Sequence, residues 1–409
     1  MISAFRTRLH PLLAVLVLAG CRTIDPPASP PSRTPPPSPP DLAWPDRIPT
    51  EETFWPINSV PGFEIRARNG ESMEIWQVGW NEHQVIYQFG PDGDLHNAWK
   101  ALLGIDGSLV ASSDSYLVAS ISNPRTRSDG TRFEEREIHA TDVHVISPVD
   151  AQPRGTLIML ASLARMTPQE QSLLESMLRE GWTILTSCPP IPQSSIKGGQ
   201  AIDPDRHPAG SGRRFASIVD DQFAEWGMAL ETIINRRLEE RRPLPSPMVL
   251  IGVSMGAIGA APVAARIDQT SPIRAAVLVS GGTNLGKLLG ETTLGEADFK
   301  IRQTGDTPTP QATRTFEEAY QDSVVLDSPR LLQWLGKRPV LVIEGESDTA
   351  VSRRSRHEFH GFLGEPERWR YPVGHVGMFL VLPEAADDIA EWLDEWSPKP
   401  AKPEPGNAP

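Results

Sequence analysis

The amino-acid sequence predicts an α/β protein in which helices flank a mostly parallel central sheet. Two apolar runs, at residues 248–251 and 339–343, have the length and composition of strands that are buried on both faces. Both runs end in glycine-containing turns, and a small-residue segment with a helical pattern, 257–266, follows the first turn. A strand that leads through a turn into a helix is the repeating unit of a parallel sheet.

The turn after the first run carries the most informative motif of the chain, Gly252-Val253-Ser254-Met255-Gly256. A G-x-S-x-G sequence between a strand and a helix is typical of a nucleophile elbow, a sharp turn that exposes the hydroxyl of a strained serine. We expect that a Cβ atom at position 252 or 256 would collide with the neighbouring strand or helix. We therefore interpret Ser254 as a catalytic nucleophile, with a structural turn serine as the alternative.

The sequence around this motif resembles that of the α/β-hydrolases, in which an acid and then a histidine follow the serine along the chain. The segment 344–351 is similar to the acid loop of that family, which implies that Asp348 is the acid. Glu344 and Glu346 are alternatives, because a shift of the loop would present either one. The segment 371–379 resembles the histidine loop and implies that His375 is the general base, with a helix-capping histidine as the alternative.

These residue types suit acyl transfer. A serine hydroxyl becomes a good nucleophile when an imidazole takes its proton and a carboxylate orients that imidazole. The resemblance also implies an oxyanion hole whose first donor is the backbone N–H of Met255. The second donor is expected in the loop after a strand at 156–160, among Ala161, Ser162 and Leu163, and we favour Leu163. Ala161-Ser162 departs from the His-Gly pair that is usual in the family.

The first 20 residues have the features of an export signal. Two arginines precede an apolar run, 12–19, that is too short to span a bilayer. The sequence Leu18-Ala19-Gly20-Cys21 resembles the bacterial lipobox, which implies that Cys21 becomes a lipidated N-terminus and anchors the chain to a membrane. An ordinary secretory signal is the alternative. We expect an extracytoplasmic location in the cell envelope, at the outer membrane if the cell has one, because Arg22 rather than aspartate follows the cysteine.

Composition divides the chain into five parts. Residues 1–20 are the expected signal peptide, and 21–49 form a proline-rich spacer behind the lipidated cysteine. Residues 50–110 form a β-rich N-terminal extension, and 111–396 form the α/β-hydrolase domain. A lid-like insertion is expected within that domain at about 285–335. Residues 397–409 are proline-rich and are expected to be a disordered tail.

Charge and cysteine content limit the classes of partner. The net charge is −13 and no lysine- or arginine-rich run is present, so a nucleic-acid partner is not expected. The two cysteines are Cys21 and Cys188, and lipidation of the first leaves no intramolecular disulfide. The acidic balance opposes binding to anionic headgroups by charge alone, so the membrane anchor is expected to be the lipid.

Two other patterns are weaker. Residues 281–287 match the G-x-x-x-x-G-K part of a phosphate-binding loop, but Leu288 stands where serine or threonine must reach magnesium. His357 and His360 are three residues apart rather than the four of the helical zinc motif, and a solvated helix face explains them better. We expect no metal and no other cofactor.

The sequence therefore predicts a lipid-anchored serine hydrolase that cleaves small-molecule carboxylic esters through an acyl-enzyme. A peptidase or amidase of the same fold is one alternative. A catalytically silent hydrolase domain that serves as a binding module of the cell envelope is the other.

Overall fold

The computed structural model describes residues 23–24, 72–78, 82–89, 111–121, 138–148, 153–162, 166–189, 207–291 and 309–396. Its strands are β1 (Thr23–Ile24), β2 (Ser72–Val78), β3 (Glu82–Phe89), β4 (Ala111–Ile121), β5 (Ile138–Pro148), β6 (Gly155–Leu160), β7 (Trp182–Ser187), β8 (Met248–Val253), β9 (Ile273–Val279), β10 (Val340–Gly345) and β11 (Glu367–Tyr371). Its helices are α1 (Pro168–Arg179), α2 (Pro208–Glu239), α3 (Met255–Ile258), α4 (Ala260–Ile267), α5 (Leu285–Glu291), α6 (Pro310–Gln321), α7 (Pro329–Leu335), α8 (Arg353–Phe362), α9 (His375–Val381) and α10 (Ala386–Trp396).

All of these strands belong to one sheet, in the order β1-β11-β10-β9-β8-β6-β7-β5-β4-β3-β2. The strands from β11 to β7 in this order are parallel to their neighbours. The chain runs from β6 outward to β7 and then returns to β8 on the other side of β6. This reversal creates a crevice at the carboxyl ends of β6 and β8, which is where open α/β sheets bind their ligands.

The remaining strands pair antiparallel at the two ends of the sheet. Strands β2 to β5 continue it beyond β7, and β1 pairs with β11 at the opposite edge. Strands β2 and β3 lie in the predicted N-terminal extension, and their backbones are part of the same sheet as the hydrolase strands. This sheet, parallel in its central part and antiparallel in its leading strands, confirms the predicted fold class.

The central strands of the sheet are buried on both faces, which explains why they are rich in apolar residues. Strand β8 is buried at every position. Met248 and Leu250 belong to the core on the face covered by α2, whereas Val249, Ile251 and Val253 belong to the core on the face covered by α1 and α10. Because each face is covered by its own helices, both sets of side chains in β8 are apolar.

The interval predicted as a lid-like insertion contains α5, α6 and α7. Helix α6 packs along α2, where the ring of Phe215 lies 6.1 Å from that of Phe316 and 5.3 Å from that of Tyr320. The described part of the interval is therefore joined to the main core. Within the described residues, no helix combines the length and apolar character that are needed to cross a membrane.

Candidate active site

Ser254 lies in the sharp turn between β8 and α3. Its backbone has φ 51° and ψ −110°, a region that residues with a Cβ rarely occupy. A Cβ on residue 252 would lie 2.4 Å from the carbonyl oxygen of Gly256, and one on residue 256 would lie 2.0 Å from that of Leu160. The predicted need for glycine at both positions is confirmed, since a side chain at either would displace the backbone.

The structure brings together the three side chains that the sequence singled out. Ser254 Oγ lies 3.0 Å from His375 Nε2, and His375 Nδ1 lies 2.8 Å from Asp348 Oδ2. His375 is the first residue of α9, and Asp348 lies in the turn that follows β10. An imidazole in this position can take the proton of the hydroxyl while the carboxylate holds its other nitrogen.

These groups are more enclosed than the sequence implied. Ser254 is 8% exposed, whereas an elbow serine was expected to expose its hydroxyl. The tight turn explains the difference, because Ser254 N donates to the carbonyl of Val279 and so draws the residue against β9. The side chain of His375 is 12% exposed and that of Asp348 is fully buried.

The carboxylate of Asp348 is oriented by its own loop. Its Oδ1 accepts the backbone N–H groups of Ala350 and Val351, each at 2.9 Å, so that Oδ2 is directed at the histidine. The two alternative acids lie elsewhere. Glu344 is buried and pairs with Arg368 and Arg356, and Glu346 is exposed.

Arg356 on α8 holds the acid loop in place through hydrogen bonds to its backbone carbonyls. Its guanidinium donates to the carbonyls of Gly345 at 2.8 Å and Val351 at 3.2 Å, and it lies 3.5 Å from those of Glu346 and Asp348. The side chain is only 6% exposed. Sequence reasoning missed this residue, because an arginine-rich first turn of a helix has the composition of a solvated surface.

The loop after β6 carries the candidates for the second oxyanion donor. The N–H of Ala161 donates to the carbonyl of Ser187, and the N–H of Ser162 donates to Glu170 Oε1 at 2.8 Å. Leu163 lies outside the described residues. Met255, the first donor candidate, is the first residue of α3, where backbone N–H groups have no partner within the helix.

Glu170 is the second residue that the sequence reasoning missed. Its buried carboxylate accepts the N–H and the hydroxyl of Ser162 and the N–H of Thr167. Burial raises the pKa of Glu170, and the hydrogen bonds from Thr167 and Ser162 oppose that shift. A signal was present in the sequence, because Thr167-Pro168-Gln169-Glu170 has the pattern of a helix capping box. The capping box forms, but its contact with Ser162 is not encoded in that pattern.

The segment that resembles a phosphate-binding loop is built differently. The N–H groups of Asn284 and Leu285 donate to the carboxylate of Asp327, and the N–H of Thr283 donates to Ser355 Oγ. Donors that would cradle a phosphate are thus bound to protein acceptors.

His360 Nε2 lies 3.0 Å from the carbonyl of Pro366, and burial lowers its pKa. The described residues contain no group of three or more histidine, cysteine or acidic side chains arranged to hold a metal ion.

Strand order and elbow together define the fold. The chain has the α/β-hydrolase fold. Solved structures with a similar backbone include a Pyrococcus furiosus esterase, Pf2001, at 18% identity and a TM-score of 0.42, over 71% of this chain and 92% of that one. A cold-adapted esterase from an Arctic intertidal metagenomic library has 14% identity and a TM-score of 0.40, over 71% and 96%. Est1E from Butyrivibrio proteoclasticus has 12% identity and a TM-score of 0.38, over 62% and 95%. No protein-family model and no curated protein matches the chain.

Proposed function

We propose that the chain is a serine hydrolase that cleaves carboxylic esters through an acyl-enzyme. The observation that carries the proposal is the continuous contact from Ser254 Oγ through the imidazole of His375 to Asp348, with distances of 3.0 and 2.8 Å. A turn serine without a catalytic role needs neither a strained backbone nor a buried carboxylate behind its histidine partner. Ser254 also follows the carboxyl end of β8, the edge at which open α/β sheets bind their ligands.

In this mechanism Ser254 Oγ attacks the carbonyl carbon while His375 Nε2 accepts the hydroxyl proton. Asp348 keeps the Nδ1–H of His375 oriented and stabilises the positive ring. The N–H groups of Met255 and Leu163 would donate to the oxygen that becomes negative. His375 then gives its proton to the departing alkoxide as the carbon–oxygen bond breaks. Water repeats the sequence, releases the acid and restores Ser254.

Labelling with a fluorophosphonate probe tests this proposal against a catalytically silent module. Wild-type protein is expected to be labelled, because the activated serine attacks phosphorus and expels the leaving group. Ser254→Ala should abolish the labelling, and Ser271→Ala, a partly buried loop serine, should leave it unchanged. Folded wild-type protein that takes no label would favour the binding module.

We further propose that esters are preferred over amides, because an alkoxide leaves with less assistance than an amine. A series of p-nitrophenyl esters of rising acyl length, measured beside aminoacyl anilides, tests the preference. Faster cleavage of the anilides at equal enzyme concentration would identify a peptidase or amidase. The same series reports the acyl length that the site accepts.

We propose that the chain is exported and held at the membrane by lipid on Cys21. Metabolic labelling with palmitate tests this point. Label should enter the wild-type chain and the Cys188→Ser variant, and it should be lost from Cys21→Ser. Cys188 is a matched control, since it is the other cysteine of the chain. Equal label in all three proteins would require an attachment site other than Cys21.

A further inference from the structure

A cavity lies between the carboxyl ends of β10 and β11 and the first turn of α8, and no side chain of the triad lines it. This cavity has a volume of about 780 Å³. Its basic side chains are five arginines and one histidine, and we call it the arginine cavity. The arginines are Arg353, Arg354 and Arg356 from α8 and Arg368 and Arg370 from β11. Strand alternation explains the last pair, because Trp369 between them packs into the core on the other face.

Positive charge exceeds negative charge in this cavity. Five arginines line it together with two acidic residues, Glu344 and Glu346. The buried carboxylate of Glu344 is shared by three guanidiniums, because it bonds to Arg368 and lies 3.5 Å from Arg356 and 3.7 Å from Arg370. One carboxylate cannot balance three neighbouring cations, so an added anion would be stabilised there. This excess is notable in a chain whose net charge is −13.

The kind of cation indicates the kind of anion. A guanidinium presents a flat fork of N–H donors that matches two oxygens of a phosphate, whereas a lysine acts as a point charge. None of the residues that line the cavity is lysine. A volume of this size holds a phosphate together with the polar group that carries it.

The position of the cavity indicates where the phosphate comes from. Strand β1 pairs with β11 so that Thr23 lies opposite Arg370, one of the lining arginines. Cys21 precedes Thr23 by two residues, and two residues of chain reach about 7 Å at most. A lipid on Cys21 would therefore bring the membrane surface to the same edge of the sheet. This step depends on the proposed lipid anchor, but the charge of the cavity does not.

We propose that the arginine cavity binds a phosphate group, and that the group is the headgroup phosphate of an anionic phospholipid. The acyl anchor would fix the distance of the domain from the bilayer, and the arginines would fix its orientation. Anionic headgroups attract arginines within about a Debye length of the surface, so the contact acts only at the anchored edge.

The first test measures thermal unfolding of the full chain in sodium phosphate and in sodium chloride of equal ionic strength. Phosphate is expected to raise the Tm of the wild-type protein, because a ligand that binds only the folded state stabilises it. The double variant Arg353→Gln/Arg370→Gln should lose this difference. These two arginines are among the more exposed of the five, so their replacement is compatible with folding. Arg241→Gln/Arg274→Gln is the matched control, because both residues are exposed and neither lines the arginine cavity.

The second test separates a lipid headgroup from free phosphate. The full chain with Cys21→Ser is made in vitro, so that no lipid is attached, and is mixed with vesicles of phosphatidylcholine alone or with phosphatidylglycerol added. Binding that depends on phosphatidylglycerol is expected to be about tenfold weaker or more in Arg353→Gln/Arg370→Gln. Both double variants should keep fluorophosphonate labelling, which makes failure of this proposal distinct from failure of the hydrolase proposal.

A rise in Tm with phosphate, without preference for anionic vesicles, would support the phosphate site and overturn the headgroup as its source. The phosphate site itself is overturned if phosphate and chloride act alike on the wild-type protein. It is also overturned if the two double variants lose phosphate stabilisation and vesicle binding equally, since the effect would then reflect net charge alone.

Discussion

Two loops lie at the carboxyl edge of the sheet, and each is held by one buried residue, an arginine in one case and a glutamate in the other. The acid loop after β10 is held by Arg356, whose guanidinium collects backbone carbonyls. The loop after β6 is held by Glu170, whose carboxylate collects N–H groups and a hydroxyl. The sign of the buried charge determines which backbone groups of each loop remain available to the site. A carbonyl that is bound by Arg356, or an N–H that is bound by Glu170, cannot also bind a substrate.

In the acid loop, the carbonyls are bound by the arginine and N–H groups remain for the carboxylate of Asp348. In the loop after β6, the N–H of Ser162 is bound by Glu170, so an oxyanion donor must come from a neighbouring residue. The buried counter-charge thus sets the polarity of each loop. The motif residues then act within a backbone that other side chains have already oriented.

The largest expected effects on kcat/KM are those of substitutions at Ser254, His375 and Asp348. Ser254→Ala and His375→Ala should each lower kcat/KM by ~10⁴ or more, because triad members act as a unit. Asp348→Asn should lower it by roughly 10³ to 10⁴, because an amide cannot hold the charged imidazole in the required tautomer. The measurement is hydrolysis of a p-nitrophenyl ester.

Glu346→Gln is the control for the acid, because Glu346 is one of the two alternative carboxylates and is exposed. Its kcat/KM should stay near that of the wild-type protein. A near-normal rate in Asp348→Asn together with a large loss in Glu346→Gln would contradict the assignment of Asp348. Glu346 would then be the acid, and the orientation of Asp348 by its loop would have no role in catalysis.

The fold and the three central side chains could be predicted because their signals are local. Each side chain stands in a short motif directly after a buried apolar strand or beside the last helix, and parallel strands bring such segments to one edge. The catalytic roles of Ser254, Asp348 and His375 remain a prediction. The same holds for the oxyanion donors, since Leu163 lies outside the described residues.

The supports of the loops could not be predicted, because their partners are backbone atoms distant in sequence. Arg356 sits in Arg353-Arg354-Ser355-Arg356, and nothing in that run separates its buried guanidinium from the two exposed ones. Strands β2 and β3 alternate like ordinary hairpin strands, so their pattern did not reveal that β3 pairs with β4 and adds both strands to the main sheet. Such pairings depend on which edge the rest of the fold leaves open.

The second largest effect is expected at Arg356, which we regard as a positioning residue. Arg356→Lys keeps the charge beside Glu344 but loses the fork that reaches four carbonyls. We expect kcat to fall by about 10- to 100-fold with little change in KM, because a shift of about 1 Å in Asp348 is enough for such a loss. Arg354→Lys is the matched control on the same helix turn, since its side chain is 69% exposed and pairs with Glu358. Equal kinetics in the two variants would show that Arg356 does not position the acid.

A smaller effect is expected from Glu170→Gln in the other loop. Glutamine keeps one acceptor oxygen, but its amide group meets the donors of Ser162 and Thr167, so the loop after β6 must shift. We expect kcat to fall by about tenfold, less than the loss of an oxyanion donor itself. Glu175→Gln on the same helix is the control, because Glu175 pairs only with the exposed Arg179 in the described structure. A rise in KM with unchanged kcat would mean that the loop contributes to substrate binding but does not stabilise the transition state.

The smallest effect tests a third buried carboxylate, Asp220 on α2, which binds the segment before α7. It accepts the N–H groups of Val325 and Leu326, yet burial, opposed by those bonds and reinforced by Asp221 and Asp327, raises its pKa to about 7. Because this pKa exceeds the ordinary value of 3.8, the folded state holds a proton that the unfolded state has lost between about pH 4 and pH 7. The contribution of Asp220 to stability is therefore greatest at low pH and is lost as pH rises towards 7.

Asp220→Asn should remove that dependence, because an amide does not titrate in this range. We expect the free energy of unfolding, measured with denaturant at about pH 5 and about pH 8, to fall less in Asp220→Asn than in the wild-type protein. Asp322→Asn, a change at an exposed aspartate directly after α6, should keep the wild-type difference. Equal differences in all three proteins would show that two backbone N–H groups are enough to hold a buried carboxylate in its charged form. A buried charge would then have no measurable effect on the backbone that it binds. The different backbone groups that the loops after β10 and β6 present would have to be explained by loop geometry rather than by the charges of Arg356 and Glu170.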